Sequence, residues 1–66
     1  MRQMGVVKYY NRERGAGVVT LADGRDAFLQ ARRLAEEQRE MIVEDVQMEF
    51  EVAQGAKGLE VIGILG

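Results

Sequence analysis

At 66 residues the chain has room for one domain, residues 1–66, and a domain of this size buries only about 60% of the surface its unfolded chain exposes. It contains no cysteine and no histidine, which excludes disulfides, zinc sites built on thiolate or imidazole, thiol nucleophiles and the commonest general base. An enzyme is not expected, nor a cofactor, a metal site or a small-molecule substrate. The formal charge of −2 conceals an asymmetry: residues 1–33 hold seven bases against three acids, and residues 34–66 two bases against eight acids. A surface that attracts phosphates is therefore expected from the first half, while the second half repels them.

In chain order, Met4 to Tyr10 is β-branched and aromatic and predicts a first strand, followed by a loop over Asn11-Arg12-Glu13-Arg14-Gly15. Ala16 to Leu21 predicts a second strand. Ala22-Asp23-Gly24-Arg25 carries the Asp-Gly signature of a tight hairpin turn, and a third strand is expected from Asp26 to Ala31. The connection from Arg32 to Asp45 holds the one stretch rich in helix formers, Arg32 to Glu40, which is short enough to predict one or two turns and then irregular chain.

Val46-Gln47-Met48-Glu49-Phe50-Glu51-Val52 alternates apolar with polar residues, the period of a half-buried strand. Gln54 to Gly58 reads as a turn and Leu59 to Leu65 as a closing strand. Three strands, a long connection and a terminal hairpin predict an all-β fold, a five-stranded antiparallel barrel of the OB type with a short helical turn between strands 3 and 4. Val7, Val19, Leu21, Leu29, Val46, Met48, Phe50, Val52 and Val61 are expected to face inward. No apolar run approaches the roughly 20 residues that span a bilayer, and the amino terminus lacks the layout of a signal peptide, so no membrane association and a cytoplasmic location are expected.

The string from Gly5 to Val19, Gly-Val-Val-Lys-Tyr-Tyr-Asn-Arg-Glu-Arg-Gly-Ala-Gly-Val-Val, resembles the opening of bacterial cold-shock proteins, G-x-V-K-W-F-N-x-x-K-G-F-G-F-I. Asp26-Ala27-Phe28-Leu29-Gln30-Ala31 is similar to their second motif, D-V-F-V-H-F. Leu34 resembles the aliphatic residue that follows it, Glu49-Phe50-Glu51-Val52 resembles the V-x-F-E-V strand, and Gly55-Ala56-Lys57-Gly58 resembles G-x-K-G. The resemblance covers nearly the whole chain. It implies single-stranded RNA or DNA binding, in which unstacked bases lie on outward aromatic rings of the first three strands and basic groups track the phosphates.

The chain departs from that pattern where the chemistry sits. Ala16 and Val18 replace two phenylalanines of the first motif, Gln30 and Ala31 replace the histidine and phenylalanine of the second, and the aromatic of the following loop falls at Arg39. Phe28 survives, Tyr9 stands for the tryptophan and Tyr10 for the phenylalanine beside it. At about 1 kcal/mol for each of four lost platform groups, affinity should fall by a factor of nearly ~1,000. The binding site that the resemblance implies comprises Lys8, Tyr9, Tyr10, Arg14, Phe28, Gln30 and Lys57, with weak, salt-sensitive and sequence-tolerant binding.

Other readings attach to the same residues. Tyr9 and Phe28 could be barrel packing, and Asn11 and Asp26 are read as turn formers. The Gly15-x-Gly17 pair lacks the Lys-Ser/Thr and following helix of a phosphate loop. Glu36, Glu37, Glu40, Glu44 and Asp45 lack the ligand rhythm of a hard-cation loop and read as a solvated acidic segment. The competing function is a protein-interaction module or homodimer, in which Ala16, Val18 and Ala31 turn the platform into an aliphatic surface.

Overall fold

A computed structural model describes all residues from Met1 to Gly66. Five strands, β1 (Arg2–Asn11), β2 (Ala16–Leu21), β3 (Asp26–Gln30), β4 (Gln47–Gly55) and β5 (Gly58–Ile64), close into a barrel in the order β1-β2-β3-β5-β4. Between β3 and β4 lie a 3-10 turn, Ala31–Arg33, and a single helical turn, α1 (Glu36–Arg39). They are separated because Leu34 and Ala35 are both extended. No helix is long and apolar enough to cross a membrane.

The expectation of an antiparallel barrel holds for four of the five seams, and the fifth differs for a topological reason. Strands that alternate in direction around a closed ring must be even in number. Here β1/β2, β2/β3, β1/β4 and β4/β5 are antiparallel, so β3 and β5 necessarily run the same way, and they meet in parallel at Phe28 and Glu60. Ala31, expected to end the third strand, begins the 3-10 turn instead.

The turns follow from local chemistry. Gly24 adopts φ 92° in the β2–β3 hairpin, and Asp23 accepts hydrogen bonds from the Arg25 backbone N–H (3.0 Å) and the Arg25 Nε (2.7 Å). That backbone N–H, with the guanidinium beside it, holds the Asp23 carboxyl below its ordinary value of 3.8. The turn is thus supported by the ionised form, and this support is lost as pH falls through the lowered value. Asn11 shapes the β1–β2 loop as expected, its Oδ1 accepting the Arg14 N–H at 3.1 Å. Asp26 forms no turn. It stands opposite Thr20 and accepts that hydroxyl at 3.1 Å, a cross-strand bond.

Eight of the nine expected core residues are buried: Val7, Val19, Leu21, Leu29, Met48, Phe50, Val52 and Val61. Ala27, Leu34, Ile42 and Ile64 complete the core. Leu34 and Ile42 come from the irregular connection, where no period marks them. Val46 is the exception, 45% exposed. Its predecessor Asp45 has φ 66°, and the Asp45 N–H donates to the Val7 carbonyl at 3.0 Å, so the chain turns before β4 starts at Gln47 and the alternation does not reach back to Val46. Val46→Thr should therefore shift stability by no more than about 0.5 kcal/mol, whereas Met48→Ala, two residues on, should cost about 2–5 kcal/mol in urea denaturation.

Candidate nucleic-acid interface

The site is built by an irregularity in β1. Val7 stands opposite Val19, but the next pair is Tyr9 with Val18, so Lys8 is an extra residue in a β-bulge. Strict alternation would send Tyr9 to the same side as Val7. The bulge reverses this, and Tyr9 is 53% exposed while Tyr10 is half-buried against the core. Val18 is in turn paired with Phe28, itself 46% exposed. Tyr9, Val18 and Phe28 thus form one outward rank across three strands. The neighbouring rank is Asn11, Ala16 and Gln30.

Gly17 admits the bulge. It faces Tyr10, and a Cβ added to it would run into the Tyr9 carbonyl oxygen and lie 2.9 Å from the Tyr10 Cα. Any side chain there would push the bulged strand off β2. Gly15 serves differently: at φ 63° it closes the loop, its N–H donating to the Asn11 carbonyl at 2.8 Å.

The outward ranks floor a shallow hollow of about 520 Å3 bordered by Tyr9, Asn11, Arg14, Ala16, Val18 and Phe28. Arg14 and Ala16 also border a smaller hollow of about 200 Å3, together with Gln30 and Arg32. A third hollow of about 200 Å3 follows, with Gln30, Arg32, Arg33, Lys57 and Glu60 at its edge. The residues they share set the three hollows side by side in one groove-like row that leads from the rings to a cationic end.

Of the residues expected at a binding site, Tyr9, Arg14, Phe28, Gln30 and Lys57 border this groove. Lys8 is exposed on the bulge beside Tyr9. Tyr10 is not on this face. Its ring packs on the core, the Arg12 guanidinium lies 5.7 Å from its centroid, and it borders a separate hollow with Ile42, Val43 and Glu44. Sequence reasoning passed over Arg32 and Arg33, which it read as the start of a helix. Arg32 is instead turned back along the groove, its Nε donating to Gln30 Oε1 at 3.2 Å. Arg39 donates to the Ala31 carbonyl at 2.8 Å and ties α1 to the 3-10 turn.

Compared with known proteins, the chain is 36% identical over 62 residues to the cold shock-like protein CspA of Shewanella violacea, spanning 92% of this chain and 89% of that protein. It belongs to the cold-shock protein family. The cold shock-like protein CspC of Bacillus cereus is 30% identical over 61 residues, with 94% of its length covered. Cold shock protein CapB of Pseudomonas syringae pv. tomato is 32% identical over 59 residues, 89% of this chain and 86% of its own. No family model matches the chain. The family is one of nucleic-acid-binding proteins, and this member has a closed five-stranded barrel with Ala16 and Val18 on β2.

Because Gly17 is what lets the bulge form, Gly17→Ala should destabilise the barrel by about 1–3 kcal/mol, the overpacking cost outweighing the backbone entropy gained on replacing glycine. Urea denaturation of the variant measures this directly, and a stabilised variant would contradict it.

Proposed function

We propose that this protein binds single-stranded RNA or DNA weakly and with little sequence preference along the groove that runs from Tyr9 and Phe28 to Lys57. The observation that carries this reading is the outward rank Tyr9-Val18-Phe28: two exposed rings flank an aliphatic residue on one face, and arginines border the adjoining hollows. Rings on a sheet stack on bases of any identity, and each such contact is worth roughly 1–3 kcal/mol. Arg14, Arg32, Arg33, Lys57 and the bulged Lys8 offer the positive charge that tracks a phosphate backbone.

Loss of ring positions at Ala16 and Val18 supports low affinity, and guanidinium groups beside Ala16 and Gln30 support electrostatic compensation at that end. The competing reading, a converted aliphatic docking surface, requires Ala16, Val18 and Ala31 to form one apolar patch. Ala31 has left the strand for the 3-10 turn, and Ala16 is bordered by Arg14 and Gln30, so the patch is interrupted.

Fluorescence anisotropy with a labelled heptauridine tests the proposal. Tyr9→Ala and Phe28→Ala should each weaken binding roughly 5- to 150-fold. Lys8→Gln with Arg14→Gln should weaken it and reduce the salt slope, which falls by about 0.7 for each phosphate contact removed from a single strand. Unchanged affinity in the two ring variants would remove this face as the binding site.

A further inference from the structure

The outward rank does not stop at β3. Across the parallel seam Phe28 is paired with Glu60, and Glu60 with Ala53 on β4. The Glu60 side chain is 21% exposed and lies over Gly55, where an added Cβ would run into its carboxylate. The missing side chain at Gly55 therefore makes room for the carboxylate, and Glu60 borders the same hollow as Gln30, Arg32, Arg33 and Lys57. Its partner there, Arg33, reaches its Oε1 at 3.6 Å, an ion pair too long to be a hydrogen bond, so that guanidinium leaves the carboxylate's hydrogen-bond acceptors unclaimed.

A carboxylate is the wrong charge for a phosphate backbone, so its placement in this groove calls for a different partner. It accepts hydrogen bonds and donates none. Single-stranded bases present their Watson–Crick edges to such groups. Guanine offers two adjacent donors, N1–H and the N2 amino group, matching the two oxygens of a carboxylate; cytosine and adenine offer an amino group beside an acceptor. Uracil and thymine flank their single N–H with two carbonyls, which a carboxylate repels.

Resting on the single-strand reading above, we propose that Glu60 is the base-reading residue of the groove and selects guanine at the position next to the base stacked on Phe28. The rest of the platform stays tolerant, and one step of the strand is read.

The test uses three heptamers: heptauridine, the same strand with a central guanosine, and the same strand with a central inosine, which lacks the N2 amino group. The protein should bind the guanosine strand roughly tenfold or more tighter than heptauridine, within the range a bidentate base contact supplies, with the inosine strand between them. Glu60→Gln should collapse this spread and tighten heptauridine binding, since a negative charge leaves the groove. Glu60→Asp, which keeps the charge but shortens the reach, should also lose most of the preference.

Equal binding of the three strands by the unaltered protein would overturn the assignment while leaving single-strand binding intact. So would a spread that persists in Glu60→Gln, or a uniform tightening of all three strands in that variant without loss of order. Failure of the unaltered protein to bind any of the three at low salt would overturn the single-strand reading itself, and this assignment with it.

Discussion

Lys8 has no partner across the β1–β2 ladder, and the geometry of the outer face depends on that one unpaired residue. A strand has a side-chain period of two, so an extra residue exchanges inside and outside for everything beyond it. Up to Val7 the inward positions are odd-numbered; after the bulge Tyr10 turns toward the core and Tyr9 away from it. Without the bulge the two tyrosines would trade places, and Phe28 would have no ring in its rank. Gly17 is the complement of Lys8, because the bulged backbone occupies the space a side chain would need.

Closure imposes the second constraint. An odd number of strands leaves one parallel seam, and a parallel pair cannot be joined by a tight turn. β5 lies between β3 and β4, so the connection from Ala31 to Val46 has to pass over the end of the barrel to reach β4, and it carries Arg32 and Arg33 past the end of the groove. The same seam brings β5 beside β3, so that Glu60 and Lys57, from the acidic half of the sequence, join a surface otherwise made by the basic half. The division of charge between the halves is thus real in the sequence but incomplete in space.

The barrel was legible because its strands obey local rules: the alternation around Phe50, the Asp23-Gly24 turn and the β-branched run before Tyr10 each specify an element on their own. Val46 continues the alternation in sequence but not in space, because it lies between the left-handed Asp45 that resets the chain and the start of β4 at Gln47. Leu34 and Ile42 were not placed in the core because irregular chain has no period to read. On the outer face, the family motifs lead to Tyr9, Phe28, Arg14, Gln30 and Lys57, whereas Tyr10 lies against the core, because motif similarity carries no information about a bulge. Arg32, Arg33 and Glu60 were out of reach for a different reason. Glu60 meets Phe28 only across the seam that closes the barrel, while Arg32 and Arg33 border the groove because a 3-10 turn rather than a helix follows β3; spacing along the chain encodes neither.

The placement of the two tyrosines is the point on which the account stands, and it can be measured without disturbing the barrel, since they are the only tyrosines and the chain has no tryptophan. In Tyr10→Phe the emission comes from Tyr9 alone; in Tyr9→Phe it comes from Tyr10 alone, and a ring remains at both positions in either variant. Titration with heptauridine should quench tyrosine fluorescence in Tyr10→Phe and leave it essentially unchanged in Tyr9→Phe. Quenching of Tyr10 with Tyr9 unaffected would contradict the bulged register and the groove built on it.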